Sequence, residues 1–153
     1  IEDFAVKRNL FATLEDVLPK DAILSSNTSS LPITQLATQL KRASRFAGLH
    51  FFNPATVMKL VEVIEGAATD KKVIDQLIAF TLTLNKVPVV AKDSPGFIVN
   101  RVARHFYVEA LKLLEEGVAT HEQIDTILKA NGFKLGPFEL MDLIGNDINF
   151  AVT

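Results

Sequence analysis

A histidine and a glutamate lie on two neighbouring apolar segments of this chain, with a proline-containing turn between them. His50 lies near the end of the apolar run 45–51, the turn falls at Asn53-Pro54, and Glu62 lies within the apolar run 58–64. A strand, a turn and a returning strand would bring the two side chains together. A carboxylate bonded to one imidazole nitrogen fixes the tautomer and favours protonation, so the other nitrogen can take a proton near neutral pH. The spacing therefore predicts a base suited to oxidising a hydroxyl group.

The same two residues also have a structural interpretation. His50 could be a core histidine and Glu62 a surface residue of an amphipathic strand, because paired groups are often structural. A second polar segment, residues 25–30, follows a short predicted strand, which is where α/β proteins place ligands. Serine, threonine and asparagine are also ordinary turn residues. Residue spacing alone leaves both interpretations open.

The order of apolar patterns predicts how these residues are held. Helices alternate with short apolar strands from residue 1 to about residue 92, which indicates an α/β sheet that is parallel at least in part. From residue 93 onwards only helical patterns follow, so we predict domains at 1–92 and 93–153. The predicted strands lie near 22–25, 45–51, 58–64 and 88–91, and the predicted helices of the second domain are 96–116, 120–131 and 137–144.

Composition excludes several classes of function. A net charge of −2 and a pI near 5.9 provide no broad basic surface for nucleic acid. The chain has no cysteine and three scattered histidines, so we expect no metal site, and no apolar run reaches the length of a membrane helix. The chain begins at Ile1 without a methionine, and we expect it to be a fragment whose targeting signal cannot be judged.

Three longer segments resemble the 3-hydroxyacyl-CoA dehydrogenase family in order and spacing. They are SSNTSSLPIT at 25–34, HFFNPATVMKLVEVI at 50–64 and DSPGFIVNR at 93–101. The resemblance runs along essentially the whole chain. It implies the C-terminal part of a Rossmann-type NAD-binding domain followed by an all-helical domain. It also implies NAD-dependent oxidation of a 3-hydroxyacyl-CoA to a 3-oxoacyl-CoA.

The resemblance assigns roles to individual residues. On the substrate side it implies His50 as the base, Glu62 as its orienting partner, and Ser29 and Asn100 as the groups that hold the substrate. On the cofactor side it implies contacts from Glu2, Lys7, Asn27 and Asn53. Glu2 and Lys7 would equally suit the solvated face of an amphipathic helix, and Asn53 could simply end a strand before Pro54.

The glycine pattern that normally holds a dinucleotide pyrophosphate is missing. None of the seven glycines has a second glycine two positions away, so G-x-G-x-x-G does not occur. The resemblance places that loop before Ile1, and we expect the isolated chain to bind NAD poorly and to be inactive. Alternative functions are a non-catalytic assembly module or a crystallin-like relative. We also expect a homodimer through the helical domain, including Phe97, Phe106 and Phe138, in the cytoplasm or the mitochondrial matrix.

Overall fold

The computed structural model describes residues 1–151, apart from the side chains of residues 148 and 151. They form two compact units, Ile1–Ile98 and a second that begins at Val99. The predicted boundary at 92–93 lies within the first unit, a few residues before Val99. In chain order the elements are α1 (Phe4–Val17), β1 (Leu24–Ser26), α2 (Ile33–Ala37), a short 3-10 helix (Ala43–Arg45), β2 (Phe46–Phe51), β3 (Leu60–Glu65), α3 (Lys71–Thr83), β4 (Val87–Lys92), α4 (Val99–Glu115), α5 (His121–Ala130), α6 (Pro137–Ile144) and α7 (Asn146–Ala151).

The first unit is built on a four-stranded mixed sheet in the order β1-β2-β3-β4. Strand β1 is parallel to β2, and β3 is parallel to β4. Between these pairs, β3 returns antiparallel to β2, and His50 lies directly opposite Glu62 in the register. The predicted α/β fold is therefore confirmed, as is the strand–turn–strand arrangement that joins these two residues.

Helices cover both faces of the sheet because side chains alternate along each strand. On one face, Phe46 and Ile64 pack with Phe11 of α1 and with the apolar side of α2. On the other face, α3 covers a cluster from β2 and β3, namely Ala47, Leu49, Val61 and Val63. By this alternation His50 and Glu62 share the face covered by α1 and α2.

Gly48 allows α2 to approach the sheet closely on that face. A Cβ atom added at Gly48 would lie 2.8 Å from the Ile64 Cβ and 3.0 Å from the side chain of Ile33 in α2. Such distances leave no room for a side chain, so any residue larger than glycine would displace α2 or β3. His50 lies two positions further along the same face of β2, next to this close contact between α2 and Gly48.

One predicted helix begins differently in the structure. The predicted start of the second-domain helix at Gly96 is wrong, because Gly96 and Phe97 have positive φ angles of 70° and 47° and α4 starts at Val99. Phe97 is consequently buried in the core of the first unit, not displayed on a helix for a subunit contact.

The second unit is helical, as predicted. Thr120 and Gln123 form a reciprocal capping box at the start of α5. Pro137 opens α6, and the buried carboxylate of Asp125 accepts the backbone N–H groups of Phe138 and Glu139 there. Several large apolar side chains remain exposed in this unit: Val102, Leu111, Ile127, Phe133 and Leu143.

Candidate active site

His50 and Glu62 form a buried hydrogen-bonded pair. His50 is only 3% exposed and Glu62 only 1% exposed. The distance between His50 Nδ1 and Glu62 Oε2 is 2.8 Å. Because a carboxylate oxygen accepts, Nδ1 carries the hydrogen and donates it, which leaves Nε2 as the basic nitrogen of the neutral ring. The predicted contact is present, and the alternative that Glu62 is a surface residue is wrong.

The free edge of the histidine ring meets a serine. Ser29 Oγ lies 3.1 Å from His50 Nε2, so in this tautomer the hydroxyl donates to the ring nitrogen. Ser29 belongs to the loop that follows β1, and His50 is the penultimate residue of β2. Because β1 and β2 are parallel, their carboxyl ends lie at one edge of the sheet, where the three side chains form a continuous chain of hydrogen bonds.

Glu62 is held from its other side by the backbone. Its Oε1 accepts the N–H of Ile98 at 2.9 Å, so each carboxylate oxygen has its own donor. The ring of Phe52 lies 4.5 Å from the His50 ring, and that of Phe97 lies 5.7 Å from it. Sequence reasoning missed Phe97 and the Ile98 amide as parts of this site. The Pro95-Gly96 pair indicates a turn just before them, but it does not identify which side chain or backbone N–H meets the site.

Glu2 fixes the loop that carries Ser29. Its Oε1 accepts hydrogen bonds from the Thr28 hydroxyl, the Ser29 and Ser30 backbone N–H groups and the Ser30 hydroxyl, at 2.5–3.0 Å. Burial alone would raise the pKa of Glu2, but these hydrogen bonds outweigh it, and the pKa lies below its ordinary value. This contact, which joins Glu2 to the loop after β1, was not predicted from the sequence.

This network predicts a pH-dependent contribution to stability. Since the pKa of Glu2 is lowered by folding, its contribution should be complete above the ordinary value of 4.5 and should diminish as the pH falls below it. Urea unfolding of the unmodified chain and of Glu2→Gln should therefore differ at pH 7 and converge towards pH 3. A stability difference that stays constant across this range would contradict the prediction.

Lys7 is buried, so the solvated-face interpretation is wrong for it. It is 8% exposed, and its Nζ donates to the backbone carbonyl of Asn27 at 2.8 Å and to Ser26 Oγ at 3.2 Å. The Glu2 carboxylate lies 3.7 Å away. The lysine therefore holds the end of β1 and the start of the loop that follows it. Its contact with a cofactor remains a prediction.

The three asparagines that the resemblance assigns to the site lie in different parts of the structure. Asn27 Oδ1 accepts the N–H of Phe51, which ties the loop after β1 to the end of β2. Asn53 is exposed directly after β2, at the same edge of the sheet. Asn100 is partly buried in the first turn of α4, in the second unit. The roles that the resemblance implies for these residues remain predictions.

Comparisons with known proteins agree with this geometry. Residues 1–94 match the family described as "3-hydroxyacyl-CoA dehydrogenase, NAD binding domain", and residues 96–153 match "3-hydroxyacyl-CoA dehydrogenase, C-terminal domain". The chain belongs to the 3-hydroxyacyl-CoA dehydrogenase family. Among curated members of this family, the chain is 55% identical to a 3-hydroxyadipyl-CoA dehydrogenase of Escherichia coli K12 over 99% of its length. It is 49% identical to the human mitochondrial hydroxyacyl-coenzyme A dehydrogenase over 96% of its length.

Solved structures of the family superpose closely. A (S)-3-hydroxybutyryl-CoA dehydrogenase from Ralstonia eutropha matches 99% of the chain with a TM-score of 0.96 and 40% identity. The chain spans 32% of the E. coli protein, 47% of the human protein and 54% of the Ralstonia structure. The chain therefore spans about half or less of the length of each of these three dehydrogenases.

The described residues contain neither a cluster of metal-ligating side chains nor a membrane-spanning helix. Within residues 1–151, no three histidine or acidic side chains are grouped as metal ligands. Over the same range, every helix is too short or too polar to serve as a membrane span.

Proposed function

We propose that this chain contributes the proton-transfer part of an NAD-dependent 3-hydroxyacyl-CoA dehydrogenase, which converts a 3-hydroxyacyl-CoA to a 3-oxoacyl-CoA. The observation that carries the proposal is the hydrogen-bond chain from Ser29 through His50 to Glu62. Each member has the donor or acceptor role that oxidation of a hydroxyl requires. Family membership supplies the reaction to which this arrangement belongs.

The residues divide the reaction between them. Nε2 of His50 removes the proton of the C3 hydroxyl while the carbon–oxygen double bond forms. Glu62 stabilises the imidazolium that results, because its carboxylate already accepts the Nδ1 hydrogen. When the substrate binds, the Ser29 hydroxyl turns its hydrogen from His50 Nε2 to the substrate oxygen, which frees Nε2 to accept the proton and keeps that oxygen in a reactive position. When bound, NAD accepts the hydride that leaves C3.

The residues at the carboxyl ends of β1 and β2 fit a nicotinamide cofactor. Ligands of open α/β sheets bind outside these strand ends. The loop after β1 is ordered by Glu2 and Lys7, and Asn27 and Asn53 bring side-chain amides to the same edge. We infer that Asn27 and Asn53 contact the cofactor, and that Glu2 and Lys7 both support the loop and approach the cofactor. The pyrophosphate would have to be held by residues other than these.

Family membership supports a class of acyl substrate, and Asn100 is a further residue that we expect to bind it. The relatives include a 3-hydroxyadipyl-CoA dehydrogenase and a 3-hydroxybutyryl-CoA dehydrogenase, so family membership supports the 3-hydroxyacyl thioester class and not one chain length. We infer that Asn100 hydrogen-bonds the substrate, since it is a polar residue in an apolar stretch of α4.

The proposal includes a homodimer formed through the second unit. A groove of about 450 Å³ there is lined almost entirely by apolar side chains: Val102, Ala103, Phe106, Tyr107, Phe133, Leu135 and Leu140, with Lys134. A second copy is the partner we expect, and nucleic acid is not, because the net charge is −2. We place the protein in the cytoplasm or the mitochondrial matrix, since similar mammalian proteins are named as mitochondrial.

A solely structural role is less well supported. A buried carboxylate and histidine are costly to retain, and apolar residues of similar size often stabilise a core as well or better. The exposed groove supports an assembly role for the second unit only. It gives no reason for the polar chain in the first unit, which is why catalysis is proposed for the whole.

The test is an assay of the natural full-length gene product with NAD and 3-hydroxybutyryl-CoA. NADH formation should depend on both compounds, and the thioester without its 3-hydroxyl group should give none. No NADH formation with thioesters of short, medium or dicarboxylic acyl chains would reject the proposed function.

A further inference from the structure

The segment between β4 and α4 contains an unusual backbone conformation. Phe97 has a φ of 47°, which bulky residues rarely adopt, and Gly96 before it has a φ of 70°. Phe97 is only 3% exposed, so the conformation is not that of a loose surface turn. Conformations of this kind persist only where the surrounding structure holds them, and they are concentrated at functional sites.

Both ends of this turn are anchored. The Asp93 carboxylate accepts the backbone N–H groups of Ile33 and Thr34, at 3.1 and 2.7 Å, where α2 begins. Within the turn, the N–H of Phe97 donates to the carbonyl of Ser94 at 2.9 Å. The ring of Phe97 packs in the core between the sheet and α2 and contacts His50.

The left-handed residue has one direct consequence for the site. It turns the next peptide so that the Ile98 N–H lies 2.9 Å from Glu62 Oε1, while Oε2 accepts from His50. A carboxylate that is 1% exposed is stabilised by a hydrogen-bond donor on each oxygen, and two donors also stop it from rotating. The orientation of Glu62 therefore depends on the conformation of Phe97.

We propose that residues Ser94–Ile98 are a positioning element for the base, in which the left-handed backbone of Phe97 aims the Ile98 amide at Glu62. The proposal rests on the proposed dehydrogenase function, in which His50 must keep its hydrogen on Nδ1. Phe97 and Ile98 touch neither reacting atom by this account. They act through Glu62, and they determine which tautomer of His50 faces the substrate.

A pair of substitutions at Phe97 separates conformation from packing. Phe97→Gly removes the ring but adopts a positive φ freely, whereas Phe97→Val fills more of the space but disfavours that conformation. If the residue only fills the core, the glycine variant should be the more damaged, because it leaves the larger cavity. If the residue positions Glu62, kcat should be lower for valine than for glycine, by about 10- to 100-fold, as for other supporting hydrogen bonds.

The measurements are kcat and KM of the natural full-length protein, with ¹⁵N spectra of the His50 ring. Asn85→Val is the matched control, since Asn85 also has a positive φ, 56°, but is exposed after α3 and outside the site, and this variant should retain kcat within about twofold. In Phe97→Gly the hydrogen should stay on Nδ1, and in Phe97→Val the spectrum should show a mixture of tautomers. Gly96→Ala strains the same turn more mildly and replaces Phe97→Val if that variant does not fold.

Equal or higher kcat in Phe97→Val than in Phe97→Gly, with the His50 tautomer unchanged, would overturn the proposal. Failure of the proposed function looks different. In that case the unmodified protein forms no NADH, while the ¹⁵N spectra still report whether the turn controls the tautomer of His50.

Discussion

His50→Ala should lower kcat by about 10²- to 10⁴-fold and leave KM within a few-fold, because the lost group moves a proton only in the transition state. His50→Gln should lose a similar factor, although its amide can still donate to Glu62 and so preserves more of the local structure. Steady-state kinetics with NAD and a 3-hydroxyacyl-CoA measure both parameters. Circular dichroism establishes that the variants are folded.

The matched control for this change is His105→Ala. His105 is an exposed histidine of α4, and its replacement should leave kcat unchanged within about twofold. Should His50→Ala and His50→Gln retain the kcat of the unmodified protein, His50 would not be the base. The hydrogen-bond chain would then be a structural feature only.

Glu62→Gln should slow turnover and destabilise the fold, although the two side chains are nearly the same size. The site presents two donors, the Nδ1 hydrogen of His50 and the Ile98 N–H, and an amide has only one acceptor oxygen. If His50 keeps its tautomer, one donor faces the amide nitrogen, which costs about 1–3 kcal/mol. If the tautomer changes to avoid this, the hydrogen moves to Nε2 and the ring can no longer accept the substrate proton.

We therefore expect kcat to fall by about 10- to 10³-fold and the midpoint of urea unfolding to decrease. Glu65→Gln is the control, because Glu65 ends the same strand and its carboxylate pairs with Lys92 at the surface. That substitution should change both quantities little. Unchanged kcat and stability in Glu62→Gln would show that neither the charge nor the second acceptor oxygen matters.

The sequence predicted the parts of the site that depend on alternation along strands. Two apolar runs with a proline turn between them indicated that His50 and Glu62 could meet, although spacing alone left a structural interpretation open. The capping box at Thr120 and Gln123 was likewise predictable, because capping has a local side-chain pattern.

The parts that escaped prediction depend on backbone groups and on distant contacts. The helical pattern of apolar residues runs back through Phe97, so α4 was predicted to begin too early, and a positive φ at a phenylalanine has no side-chain pattern. Every non-proline residue has a backbone N–H, so the sequence cannot show that the N–H of Ile98 is the one that contacts Glu62. Lys7 was ambiguous because a lysine on an amphipathic helix usually faces water, and only tertiary packing shows that it is buried.

The placement of His50 directly opposite Glu62 also favours one register of β2 with β3 over registers shifted by one residue. A slip of one residue in one strand would turn its polar side chain towards the opposite face, into the apolar cluster under α3. The misaligned state would bury a lone imidazole or carboxylate among valines and leucines, which is far costlier than a misplaced apolar residue. Besides its proposed chemistry, the pair therefore disfavours misaligned pairing of β2 with β3, because the observed register pairs the two buried polar side chains with each other.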